Sequence, residues 1–237
     1  MTATTADVEA QLAALLPAPL AALDAAIHQN SGDLLTHAHL VAVMDWKLSR
    51  GIRRPRLAAL VAANTSETVT AAGSAAWAAL GDDLYSISET SENNDTDHHQ
   101  RILAAVKALC VLKGVGPATA SAVLASRTPL VPFMSDELLA VAGITAPKYT
   151  LKEYAVVLKW THERTINDPG STWKATPREV ERGVWLAALQ AKQASAPEQP
   201  QRKRTRAKAA GEEKEEEDGA APARRRPRQT VPSAKKK

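Results

Sequence analysis

Glycine and proline divide residues 1–194 into short apolar segments with helical spacing, and this division limits the possible folds. Ile102, Val106, Leu109 and Cys110, for example, fall on one face of a helix. No segment alternates apolar and polar residues as a half-buried strand does. Helices are predicted at 8–16, 20–28, 33–50, from 55, and at 66–80, 98–112, 117–126, 136–141, 151–164 and 177–192. Asp33 is predicted to cap the third of these helices, and the acidic segment 82–97 is predicted to form a surface loop. The sequence therefore predicts an all-α domain over residues 1–194.

The last segment, residues 195–237, has a different composition and is predicted to be a disordered, charged tail. It has no aromatic residue, so it lacks the apolar surface needed to form a core. It carries 13 Lys and Arg against 7 Asp and Glu, whereas residues 1–194 carry 17 against 19. The basic clusters at 202–208 and 224–228 predict nuclear localisation, with import factors or chromatin proteins as partners. A solvated linker is the alternative.

The segment LKGVGPATA, residues 112–120, joins two predicted helices through two glycines and a proline. Gly114 can adopt the positive φ that ends a helix, and Pro117 suits the first helical position. Unpaired backbone N–H groups at the start of the second helix favour a phosphate. Lys113 can add a charge and Thr119 a hydroxyl. An ordinary helix end followed by a proline start explains the pattern equally well.

This segment closely resembles the helix-hairpin-helix element of the base-excision DNA glycosylase superfamily, whose pattern is Leu-x-Gly-Val/Ile-Gly-x-x-Thr-Ala. The matching residues are Leu112, Gly114, Val115, Gly116, Thr119 and Ala120. The resemblance implies a two-lobed helical fold with the hairpin at 102–126. It also implies contacts with DNA backbone phosphates, and the predicted DNA-binding residues are Lys113, Gly114, Val115, Gly116 and Thr119.

The resemblance also implies a candidate catalytic carboxylate, Asp136. Bifunctional members of the superfamily carry a catalytic lysine two positions after the second glycine, and an aspartate 18 residues later. Here Ala118 occupies the lysine position and Asp136 lies 18 residues further on. Because Ala118 supplies no amine for a Schiff base, any activity is expected to release a base and leave the strand intact. The alternative is that Asp136 only stabilises the start of a helix that Ser135 caps.

A basic cluster stands in the segment MDWKLSRGIRRPRL, residues 44–57. Together with the hairpin, this segment resembles the Amun-like group of eukaryotic nuclear proteins with a glycosylase-like domain. Trp46 is predicted to lie in the core. The cluster is predicted to bind a ligand or partner, and its members are Lys47, Arg50, Arg53, Arg54 and Arg56. The alternative is a solvated helix junction whose arginines pair with the acidic segment 82–97.

These features favour a nuclear protein that binds DNA, expected to be double-stranded, through a glycosylase-like helical domain without catalysis. A monofunctional DNA glycosylase that uses Asp136 in DNA repair is the first alternative, and a non-catalytic protein-interaction domain is the second. A catalytic Asp136 should face a cleft on the same side as the Gly114–Gly116 turn. No metal centre, cofactor or membrane partner is predicted, since the His and Cys residues show no ligand spacing and no apolar run is long enough.

Overall fold

The computed structural model describes residues 5–29, 34–51, 54–81, 92–166 and 175–195, and every regular element among them is an α-helix. This confirms the all-α prediction for the described residues. The helices are α1 (Thr5–Leu15), α2 (Ala18–Gln29), α3 (His37–Arg50), α4 (Pro55–Ala62), α5 (Ser66–Leu80), α6 (Glu92–Leu109), α7 (Pro117–Arg127), α8 (Asp136–Val141), α9 (Leu151–Ile166) and α10 (Pro177–Ala194). The predicted tail beyond residue 195 lies outside the described residues.

Four helix starts differ from those predicted: α1 begins three residues earlier and α2 two residues earlier, and the starts of α3 and α6 also differ. Thr36, not Asp33, caps α3, and its hydroxyl accepts a hydrogen bond from the N–H of His39. Asp33 itself lies outside the described residues. Helix α6 begins at Glu92, so the prediction of a loop as far as residue 97 was wrong for its last six residues. An acidic segment is compatible with the positive end of a helix, and this is why its polarity did not mark a loop.

Helix α7 is the centre of the fold. All nine residues from Ala118 to Ser126 are buried, and α7 packs against α2, α3, α6 and α9. Seven of these nine residues are Ala, Ser or Thr, and such small side chains let neighbouring helices approach from every side. Because the rest of α7 is enclosed, its N-terminus at Pro117 is the part that reaches an open cleft.

The first and last described helices pack together. Leu12 and Leu16, from α1 and the residue after it, form a small apolar cluster with Trp185 and Leu186 of α10. Asp24 of α2, although buried, accepts hydrogen bonds from the indole of Trp46 at 2.8 Å and from Arg182 of α10. Trp46 is only 1% exposed, which confirms that it lies in the core. This network fixes α10 against α2 and α3.

Among the described residues, none of the helices combines the length and the apolar character needed to cross a membrane.

Candidate nucleic-acid interface

The predicted hairpin forms a tight turn between α6 and α7. Gly114 adopts a φ of 75°, a left-handed conformation that favours glycine. The N–H of Val115 donates to the carbonyl of Leu112 at 3.2 Å and closes the turn. Gly116 then caps α7, and Pro117 is its first residue. The two glycines and the proline are therefore explained by the turn at Gly114 and by the start of α7 at Gly116 and Pro117.

The two glycines of the turn have different surroundings. A Cβ atom at Gly114 would lie 2.9 Å from the Cβ of Leu60 and 3.1 Å from the carbonyl oxygen of Leu57, both in α4. A Cβ atom at Gly116 would meet no other atom within 4 Å. Gly114 is therefore required by the protein's own packing. Gly116 is not, and its exposed surface leaves room for a ligand.

Asn64 holds the turn from the side. Its amide oxygen accepts a hydrogen bond from the N–H of Lys113 at 2.9 Å, and its amide nitrogen donates to the Lys113 carbonyl at 3.0 Å. Sequence reasoning missed Asn64 because it precedes the turn by 49 residues and belongs to no motif. Its position just after α4 fits a residue that ends a helix, and this was the only available signal.

Three backbone N–H groups of the turn have no acceptor among the described residues. They belong to Gly114, Gly116 and Ala118, while those of Lys113 and Val115 are used within the protein. All three residues line a cleft. Unpaired N–H groups at the start of a helix carry partial positive charge, so together they can bind an anion.

The cleft has a volume of about 290 Å³ and brings together side chains from distant parts of the chain. Its polar and charged lining includes Lys47, Arg54, Thr119, Asp136, Lys148 and Tyr149. Apolar surface is supplied by Leu48, Leu57, Phe133 and Met134, among others. Asp136 and the Gly114–Gly116 turn therefore line the same cleft.

Asp136 is the first residue of α8, and its carboxylate has a defined partner. Ser135 caps α8 by accepting a hydrogen bond from the N–H of Leu138 at 3.3 Å. The hydroxyl of Tyr149 donates to Oδ1 of Asp136 at 2.8 Å. Oδ2 lies 3.9 Å from where a Cβ of Gly51 would be, just beyond α3. Asp136 thus caps no backbone group in these contacts and is oriented by a side chain of the cleft.

Tyr149 is a site residue that the sequence did not indicate. It adopts a φ of 55°, which costs a residue with a side chain about 1–3 kcal/mol. The guanidinium of Arg54 lies 5.7 Å from its ring centroid. Burial raises the pKa of the Tyr149 hydroxyl, and the hydrogen bond to Asp136 raises it further. The hydroxyl therefore keeps its proton and remains a donor to Asp136.

The predicted basic cluster is divided by the structure. Lys47, Arg50 and Arg54 line the cleft, whereas Arg56 is exposed outside its lining and Arg53 lies outside the described residues. The side chain of Arg50 is only 3% exposed and forms an ion pair with Glu181 of α10 at 2.5 Å. It also lies over three aromatic rings, those of Trp46, Phe133 and Trp185. Arg50 therefore stabilises the fold, and its charge is already neutralised.

The remaining charges make the cleft positive. Lys47, Arg54 and Lys148 line it, and Lys113 is exposed at the adjacent turn. Against them stand Asp136 and Glu137, and Glu137 is 3.5 Å from the ammonium of Lys192 outside the cleft. Local charge can thus attract a polyanion even though residues 1–194 carry more acidic than basic side chains.

Comparisons with known proteins assign no function to this cleft, so its function is inferred from its geometry. Among the described residues, no group of three or more His, Cys, Asp or Glu side chains is arranged to hold a metal ion. No protein-family model, no curated protein and no solved structure matches the chain.

Proposed function

We propose that this chain is a nuclear DNA-binding protein whose two-lobed, glycosylase-like domain contacts the backbone of double-stranded DNA through the hairpin. The observation that carries the proposal is the position of three unpaired N–H groups, those of Gly114, Gly116 and Ala118, on a cleft that Lys47 and Arg54 also line. Phosphate oxygens accept hydrogen bonds from such groups, and cations nearby add affinity that depends on salt. The basic clusters of the tail would direct the protein to the nucleus.

A glutamate at position 116 should weaken DNA binding without unfolding the protein. The new side chain enters open space, so the fold is expected to tolerate it, but its charge repels the phosphate that the turn would bind. We expect Gly116→Glu in the full chain to raise the Kd for a fluorescent 25-base-pair duplex about tenfold, which corresponds to roughly 1.4 kcal/mol. Fluorescence anisotropy at near-physiological salt measures this change.

Gly183→Glu is the matched control for that experiment. Gly183 lies in α10, away from the cleft lining, and a Cβ there also meets no atom within 4 Å. Both variants change the net charge equally, so a general loss of electrostatic attraction would affect them alike. Equal affinities in the two variants would mean that the basic tail, and not the hairpin, binds DNA.

A second candidate function is monofunctional base release by a DNA glycosylase. The observation that favours it is the Asp136 carboxylate, which lines the same cleft as the hairpin and is hydrogen-bonded by Tyr149. Breaking the bond between base and sugar develops positive charge on the sugar, and a nearby carboxylate stabilises that charge. The base would have to leave the duplex stack to reach the cleft.

Base release, if present, should depend on Asp136. The full chain would be incubated with duplexes that carry different damaged bases and then treated with alkali, which cuts the strand at sites that have lost a base. We expect Asp136→Asn to lower the rate at least 100-fold, because oriented electrostatic groups typically contribute that much. Glu137→Gln is the control, since Glu137 is paired with Lys192. Intact strands with every duplex would exclude this function and leave DNA binding in place.

A further inference from the structure

A second groove borders the hairpin turn and is separate from the cleft described above. Leu112 and Lys113 line this groove, whereas Gly114 and Gly116 line the cleft, and the two share no lining residue. The groove has a volume of about 530 Å³. Ligand sites in proteins typically have volumes of about 300–1,000 Å³, so the groove is large enough to hold part of a partner molecule. The proposed DNA contact leaves it without a role.

This α5–α6 groove lies between the first half of α5 and the end of α6, two helices that pack against each other. Most of its wall is apolar and includes Ala71, Ala72, Ala75, Ala108 and Val111. Alanine side chains extend little from a helix, so they leave a depression into which the side chains of a third helix can pack. Val111 is 75% exposed, more than any other large apolar side chain among the described residues. Such an exposed apolar surface indicates an interaction site.

The charges around the α5–α6 groove are mainly positive. Lys113 lines it, and Lys107 is exposed in the last turn of α6. Neither lysine forms an ion pair with a described residue. Thr65 and Thr68 place the start of α5, with its partial positive charge, in the same wall. The described lining contains no Asp or Glu, since Glu67 of α5 lies outside it, so an occupant should carry acidic groups beside its apolar ones.

These features distinguish between the possible occupants. In a two-fold contact between copies of this chain the same patch meets itself, so Lys107 and Lys113 of both copies would be brought into one interface without an acidic partner. A DNA strand supplies negative charge, but the alanines and Val111 offer its phosphates no side-chain hydrogen bond. An amphipathic helix meets both demands, because apolar side chains on one face can enter the groove while acidic ones beside them reach the lysines.

We propose that the α5–α6 groove binds an acidic amphipathic helix of a partner protein. Asn64 prepares one end of it, because its amide accepts from the N–H of Lys113 at 2.9 Å and donates to the Lys113 carbonyl at 3.0 Å. The backbone of that lysine is therefore held in place before a partner arrives, which lowers the entropy cost of binding. Because Lys113 belongs to the hairpin turn, the bound helix would lie beside the proposed DNA contact, but the inference does not require DNA binding.

Selection from a displayed library of helical peptides, each about 18 residues long, tests the proposal on the immobilised full chain. The library offers apolar, acidic and basic residues equally at its varied positions. We expect the enriched peptides to combine apolar residues spaced three and four apart with a net negative charge. The most enriched peptide is then synthesised with a fluorescent label, and its Kd for the full chain and for each variant is measured by fluorescence anisotropy.

Val111→Asp should raise the Kd for this peptide about tenfold, because it places a negative charge where apolar and acidic side chains would bind. Val156→Asp is the matched control. Val156 is 47% exposed in α9, outside the groove lining, so the same chemical change there should leave the Kd unaltered. Ala75→Trp fills the groove without changing the charge, and it should also weaken binding. Circular dichroism of each variant checks that its helices are retained.

Several results would overturn this inference, and they differ from a failure of DNA binding. The inference is wrong if no peptide is enriched, if the enriched peptides are basic or uncharged, or if they bind Val111→Asp and Ala75→Trp as tightly as the parent. A dimer in sedimentation experiments that Val111→Asp dissociates would assign the groove to a second copy instead. Weaker duplex binding in Val111→Asp, but not in Val156→Asp, would make the groove part of a DNA-binding surface. Acidic peptides that bind while no duplex does would support this inference and refute the DNA-binding proposal.

Discussion

Replacing Arg182 by methionine should lower the free energy of unfolding by about 3–5 kcal/mol, the usual cost of breaking a buried ion pair. Arg182 donates to Asp24 from Nη1 at 3.1 Å and from Nη2 at 2.7 Å, and it also bonds Glu9. Asp24 is only 7% exposed, so loss of the guanidinium leaves a buried carboxyl whose remaining partners among the described residues are Trp46 and His28. Burial alone would raise the pKa of Asp24, but Arg182 keeps it below its ordinary value.

Urea unfolding followed by circular dichroism measures this loss. Gln190→Ala is the control, because Gln190 joins the same two helices, α10 and α1, through an exposed hydrogen bond to Gln11. We expect that variant to lose less than about 0.5 kcal/mol. Adding Asp24→Asn to Arg182→Met should recover part of the stability, since no uncompensated buried charge remains. A loss below about 1 kcal/mol in Arg182→Met would show that the network contributes little to the fold.

Replacing Gly114 by alanine should lower the free energy of unfolding by about 2–4 kcal/mol. A left-handed φ costs a residue with a Cβ about 1–3 kcal/mol, and Gly114 has a φ of 75°. The new methyl would also lie 2.9 Å from the Cβ of Leu60 and 3.1 Å from the carbonyl oxygen of Leu57. Relieving this overlap requires movement of α4 or of the turn, and overpacking of this kind typically costs about 1–3 kcal/mol.

Gly116→Ala is the matched comparison, because it makes the same chemical change two residues away. The new Cβ would lie in open space, and Gly116 has a φ of −106°, which any residue can adopt. We therefore expect its free energy of unfolding to change by less than about 0.5 kcal/mol. Thermal and urea unfolding of Gly114→Ala and Gly116→Ala measure how much each substitution lowers the free energy of unfolding. Equal destabilisation of the two would mean that the turn as a whole tolerates no side chain, and that its glycines have no separate roles.

The sequence allowed most of the helices to be predicted because their ends are marked by local signals. The predicted bounds of α5 and α8 agree with the structure at both ends of each helix. A Thr or Ser side chain caps the N-terminus of each of these helices. The start of α3 was misplaced because Asp33 and Thr36 are both good caps, and the local sequence does not decide between them. The two-lobed arrangement implied by the resemblance stays a prediction.

The candidate site could be predicted only in part. Local patterns indicated the hairpin and the basic cluster, and the family resemblance indicated Asp136, but neither could reveal that Lys47 and Asp136 share a cleft. Tyr149 was missed because its hydrogen bond to Asp136 depends on the path of the chain after α8. Arg50 was grouped with the other cations of the basic cluster because Glu181 and Trp185, its partners in α10, lie more than 100 residues away in sequence.

The burial of α7 limits how the specificity of this cleft can change. Nine consecutive positions, Ala118 to Ser126, are enclosed, and enlarging a side chain in such packing displaces neighbouring helices. Variation in ligand preference among relatives of this chain should therefore fall on the end of α3 and on the segment from Phe133 to Tyr149. The helix that carries the turn proposed to bind phosphate would stay nearly constant, so the ligand preference of the cleft could change while the proposed phosphate contact is kept.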